Sequence, residues 1–220
     1  MKLGVIDYGV GNLRSLYNAL IPLGVEAIVS SNIDRLLDCD KLILPGVGAF
    51  SYVKKRFDEA GLDELTTEVI VRDIPCLGIC VGMQLLFESS NEFETTCGLG
   101  LLSGKVVRLD ELDGREDRDC KVRIPNVSWL KVNFSTAQLK DGLDLFSNIS
   151  PDAKFYFVHS YAVSHASKDT DAHSTYAGIK FCASASRDKL FGVQFHPEKS
   201  GKNGLHLLNN FAKMGKKNEK

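Results

Sequence analysis

Apolar positions in the first half of the chain follow two alternating rhythms. Short unbroken runs, Lys2–Asp7, Val25–Ser30, Lys41–Leu44 and Cys76–Ile79, are separated by stretches in which apolar residues recur three or four apart. Leu13, Leu16, Tyr17 and Leu20 give the helical spacing over Asn12–Leu23; residues 50–71 read as one long helix and residues 83–88 as a short one. Strands alternating with helices predict a parallel sheet with helices on its faces. Runs such as LIL and CLGI, with no polar residue between them, suit strands buried on both sides.

The second half carries a different pattern. Strand-like runs occupy residues 105–109, 127–132, 155–163, 181–187 and 190–195, close enough together to predict an antiparallel extension of the sheet. A last helix is predicted from about Gly204 to Met214. The charged segment Asp110–Arg123 reads as a solvated hairpin or loop. No repeat and no long linker divides the chain, so one α/β domain over residues 1–214 is expected, followed by a frayed tail at 215–220.

Composition narrows the function. Hydrophobic residues at 44% and charged residues at 25% are ordinary for a globular protein. A net charge of −1 supplies no basic field for nucleic acid. No apolar run reaches the length of a membrane span, and the N-terminal MKLGVIDYG meets Asp7 too early for a secretory leader. With no such leader, the six cysteines read as reduced thiols in a cytoplasmic protein. There is no C-x-x-C pair, and Cys76 and Cys80 lie four apart with no histidine nearby. Neither metal nor cofactor is therefore expected.

Three stretches point to chemistry. Gly78-Ile79-Cys80-Val81-Gly82 has the G-x-nucleophile-x-G form of a tight strand-to-helix turn. The amides and dipole of a helix starting beyond Cys80 favour a thiolate. A buried cysteine beside glycines that merely permit packing fits the same letters. Phe195-His196-Pro197-Glu198 follows the run Leu190–Phe195 and offers a base with a carboxylate two residues on, although a routine strand end reads the same way. Placement favours the base, since parallel α/β sheets carry their sites at strand C-terminal ends, where Cys80 and His196 both fall. Pro45-Gly46-Val47-Gly48 follows the run KLIL and suits an oxyanion-binding turn, an ordinary turn or a phosphate cradle. Gly9-Val10-Gly11 is only a weak dinucleotide signal, because Arg14 stands where a third glycine belongs.

Together, IDYGVGNLRS (6–15), LPGVGAF (44–50), LGICVGMQLLFE (77–88), YFVHSYAV (156–163) and FGVQFHPEKSG (191–201) resemble the class I glutamine amidotransferases. Within that family the similarity is greatest to the glutaminase subunits of imidazole glycerol phosphate synthase, of histidine biosynthesis. The resemblance implies that Cys80 attacks the glutamine side chain, that His196 shuttles the proton and that Glu198 orients His196. It implies an oxyanion hole at Val47, Gly48 and Val81, and glutamine held by Gln84, Ser160 and Tyr161. Asn12, Trp129 and Lys199 match positions facing a (β/α)₈-barrel synthase, the other half of a heterodimer that receives the ammonia.

One stretch departs from the family. Pro-His-Met-Gly-Trp-Asn is usual where this chain has Pro125-Asn126-Val127-Ser128-Trp129-Leu130. A glutaminase serving a different barrel, for instance one that adds nitrogen to surface sugars, is therefore a second reading. A free-standing cysteine hydrolase and a non-catalytic regulatory subunit complete the alternatives; an intact Cys80, His196 and Glu198 argues against the last.

Overall fold

The structure is a computed structural model that describes residues 1–112, 122–134 and 144–215. The chain opens with β1 (Lys2–Ile6), α1 (Leu13–Leu20), β2 (Glu26–Ser30), α2 (Ile33–Leu37) and β3 (Lys41–Gly46). Two helices, α3 (Phe50–Glu59) and α4 (Leu62–Val71), lead to β4 (Cys76–Cys80) and the single turn-and-a-half of α5 (Val81–Leu85). Short strands follow at β5 (Ser89–Ser90), β6 (Thr96–Cys97), β7 (Lys105–Arg108), β8 (Asn126–Lys131) and β9 (Asn133–Phe134). The remainder comprises β10 (Lys154–His159), β11 (Tyr161–Val163), β12 (Thr170–Tyr176), β13 (Ile179–Arg187), β14 (Leu190–Val193) and α6 (Gly201–Lys213).

The central sheet runs β2-β1-β3-β4-β14-β13-β12-β9. Its first five strands are parallel, and the rest are antiparallel. This is the largely parallel sheet with an antiparallel extension that the apolar patterning predicts. Every residue of β3 and β4 is buried, as expected of strands covered on both faces. Helix α4 packs against both α2 and α3, while α6 packs on α1. Two smaller pieces, the antiparallel pair β8 with β10 and a mixed four-stranded β11-β7-β5-β6 sheet in which only β5 and β7 run parallel, accompany the main one. Among the described residues no helix is long and apolar enough to cross a membrane.

Four elements differ from their sequence reading. The long helix at residues 50–71 is broken, because Gly61 takes φ 67° and ends one helix before the next begins. The short helix starts at Val81 rather than Met83, immediately beyond Cys80. The run at 155–163 divides at Ser160 into β10 and β11, which join different sheets. Strand β12, spelled TDAHSTY, carries little apolar signal; only Ala172 and Ser174 turn inward from it, and pairing with β13 holds it. The charged segment lies mostly outside the described residues, as does the tail beyond Gly215.

Candidate active site

The C-terminal ends of β1, β3, β4 and β14 lie side by side, and every chemical stretch of the sequence leaves the sheet there. Gly46 at the end of β3 pairs with Cys80 at the end of β4. Val193 on β14 pairs with Ile79, so the segment carrying His196 emerges next to Cys80.

The turn at Cys80 is built from glycines pressed together. A Cβ on Gly82 would come 2.0 Å from the Leu44 carbonyl oxygen, one on Gly78 2.7 Å from the Gly82 oxygen, and one on Gly46 2.4 Å from the Gly82 nitrogen. Cys80 itself holds φ 55° and ψ −113°, outside the left-handed helical basin and costly for any residue with a side chain. It is 4% exposed.

His196 approaches from the other strand end. Its ring nitrogen Nδ1 is 2.8 Å from Glu198 Oε1, and both side chains are buried. Glu198 makes this contact from a 3₁₀ turn at Pro197–Lys199. Burial alone would lower the His196 pKa. Hydrogen bonds to Cys80 and Glu198, with the charges of both, overcome that and raise it to about 10. Such a ring stays protonated at neutral pH. Burial pushes the Cys76 and Cys182 thiols up to about 12 and keeps each a small hydrophobe.

The segment around His196 is anchored on both sides. Phe195 packs against Phe155 with ring centroids 4.3 Å apart and planes tilted by 32°. The His196 amide donates to the Tyr156 carbonyl at 2.9 Å, and Ser200 Oγ donates back to the His196 carbonyl at 2.6 Å. Val47 is partly exposed and Gly48 holds φ 111°, while Tyr8 donates its hydroxyl to the Pro45 carbonyl and pins the start of that turn. A small cavity is lined by Asn12, Pro45, Gly46, Val47, His196 and Glu198 among others. Asn12 also caps α1 through the Ser15 amide.

Behind Cys80 lies a buried polar chain. Gln84 Nε2 donates to the Tyr161 carbonyl and to Gln194 Oε1, each at 3.0 Å. His159 gives its Nδ1 hydrogen to the same carbonyl and accepts from Asn126 Nδ2 at Nε2, both at 3.0 Å. Ser160 lies at the break between β10 and β11, and its carbonyl accepts from the Leu109 amide. On the surface Trp129 meets Tyr156 edge-on at 5.8 Å, and Lys199 Nζ lies 6.0 Å from the centre of the same ring. Trp129 and Lys199 thus share one surface through Tyr156. Sequence reading gave no role to Tyr156, His159, Gln194 or Ser200; all four sit inside motifs it quoted, and only the packing separates them from their neighbours.

The chain matches the family profile described as Glutamine amidotransferase class-I over residues 4–214. It is 44% identical over 213 residues to the imidazole glycerol phosphate synthase subunit HisH 2 of Vibrio vulnificus, covering 96% of this chain and 94% of that protein. It is 41% identical over 212 residues to the imidazole glycerol phosphate synthase subunit HisH of Dehalococcoides mccartyi, covering 96% and 97%. In fold it is similar to the crystal structure of a glutamine amidotransferase from Thermotoga maritima. That likeness has a TM-score of 0.63 at 13% identity, over 96% of each chain.

Proposed function

The chain belongs to the class I glutamine amidotransferases, and from that premise we propose that it is the glutaminase subunit of an imidazole glycerol phosphate synthase. Glutamine is hydrolysed on this chain, and the ammonia passes to a (β/α)₈-barrel partner in histidine biosynthesis. The observation that carries the reading is the meeting of Cys80 with the His196–Glu198 pair at adjacent parallel strand ends.

The chemistry follows from those groups. The Cys80 thiolate adds to the side-chain amide carbon of glutamine, and the negative charge moves to oxygen. Amides of the Val47–Gly48 turn and of Val81 stabilise that oxyanion. As the C–N bond breaks, protonated His196 gives its proton to the leaving nitrogen, which departs as ammonia and leaves a γ-glutamyl thioester. Water then attacks the thioester, His196 takes its proton, and glutamate leaves as Cys80 regains the thiolate. Glu198 keeps the imidazole ring aimed at sulfur throughout. Gln84, Ser160 and Tyr161 hold the glutamine, and Asn12, Trp129 and Lys199 face the partner.

The departure at 126–130 is the observation that favours a different barrel. Its inward members weaken that case, since Asn126 is fully buried, accepts from Ser128 Oγ and reaches His159. Val127 and Trp129 are the members most exposed to solvent.

The test combines the purified chain with the imidazole glycerol phosphate synthase barrel of the same cell and its acceptor nucleotide, and follows glutamate. Wild type should bind the barrel and release glutamate. Cys80→Ser should bind equally well and lose at least about a thousandfold in rate, because a hydroxyl is not ionised by one imidazole. Residual activity near the wild-type rate would overturn Cys80 as nucleophile. Failure to bind would instead remove the histidine-pathway partner.

A further inference from the structure

Gln194 is 1% exposed and directly precedes the Phe195 anchor. Its Nε2 lies 3.8 Å from Cys80 Sγ, and its Oε1 accepts from Gln84 Nε2 at 3.0 Å. Gln84 spends its other amide hydrogen on the Tyr161 carbonyl. The direction of the Gln194 amide is therefore fixed. Turning it over would set its NH₂ against that of Gln84 and its oxygen against the sulfur. A buried carboxamide has to be fully satisfied, and an apolar side chain would fill the same volume at lower cost. Packing alone does not account for glutamine here.

We propose that Gln194 is a positioning residue for the nucleophile, donating an N–H to the Cys80 sulfur and tying that sulfur to the glutamine-contacting Gln84. The proposal rests on Cys80 being the nucleophile. Donation to sulfur favours thiolate over thiol, and hydrogen bonds to a charged atom are stronger than those to a neutral one. Through its other end the same side chain keeps Gln84, and hence the bound glutamine, in register with the sulfur. His196 governs the proton from one side of Cys80, while Gln194 governs the sulfur from the other.

The test is the rate of Cys80 alkylation by iodoacetamide on the full chain as a function of pH, followed at the Cys80 peptide by mass spectrometry. Gln194→Met should shift the profile upward by about one pH unit, slowing alkylation about tenfold at pH values below its midpoint. Gln194→Glu keeps the acceptor for Gln84 but sets a carboxylate beside the sulfur, and should shift the profile at least as far. Thermal unfolding reports whether each variant is folded. A folded Gln194→Met whose profile overlays the wild type overturns the proposal, and if that variant does not fold, Gln194→Glu decides on the same criterion. Wild-type Cys80 that resists alkylation while exposed Cys97 reacts would remove the nucleophile reading and the proposal with it. Normal wild-type reactivity with an unshifted variant removes the proposal alone.

Discussion

Cys80 and His159 show what a residue gives up to serve a site. Cys80 stays at φ 55° because β4 holds it from one side and α5 from the other. His159 is buried, and burial, together with the nearby His196 charge, lowers its pKa to about 4 although the Tyr161 carbonyl favours the proton. An unfolded histidine titrates near 6.5. Between these values the unfolded chain binds a proton that the folded chain refuses. Stability is therefore full above about 6.5 and falls as the pH drops toward 4, by roughly 3 kcal/mol for this one group. Urea midpoints at pH 7.5 and pH 5 should differ less in His159→Gln than in wild type. An equal difference in both would place the proton uptake elsewhere.

At the level of elements, the elbow between β4 and α5 depends on close backbone approach, whereas the break between α3 and α4 depends only on a left-handed turn. Gly82 has backbone where a Cβ would go, with no flexible side chain to move aside. Gly82→Ala should destabilise the chain by about 3 kcal/mol and lower glutamate release, because the turn that presents Cys80 has to shift. Gly61 has nothing within 4 Å of a Cβ, so Gly61→Ala should meet only the strain of φ 67°, about 1 kcal/mol, with activity kept. Denaturant unfolding of the two variants checks the order, and similar losses would mean the elbow relaxes at little cost. A second element-level device caps α3: Ala49 offers no side-chain acceptor, so Glu92, distant in sequence, accepts from the Phe50 amide at 2.7 Å.

For the molecule as a whole, the proposed role requires that ammonia be released only when a partner can take it. Gly46 and Gly48 flank Val47, so the peptide between them can rotate at little conformational cost. An oxyanion donor turned away lowers the rate roughly 100- to 1000-fold. The isolated chain should therefore hydrolyse glutamine slowly, and the barrel with its acceptor nucleotide should raise glutamate formation by about that factor. Full activity in the isolated chain would rule out gating at this turn.

Much of this was legible in the letters, because it depends on short-range pattern. Continuous apolar runs marked the parallel strands, since a strand covered on both faces is built mostly of apolar residues. Glycines two residues either side of Cys80 marked the elbow, since only glycine fits where backbones meet. His196 and Glu198 were named from their spacing, although the 3₁₀ turn that joins them was not. Polar β12 and the division of residues 155–163 at Ser160 were not legible, because pairing with distant strands decides both. The polar chain from Asn126 through His159, Gln84 and Gln194 to Cys80 was hidden for the same reason. Its members lie as far as 114 positions apart, and a hydrogen bond depends on where the fold sets two side chains rather than on their separation along the chain.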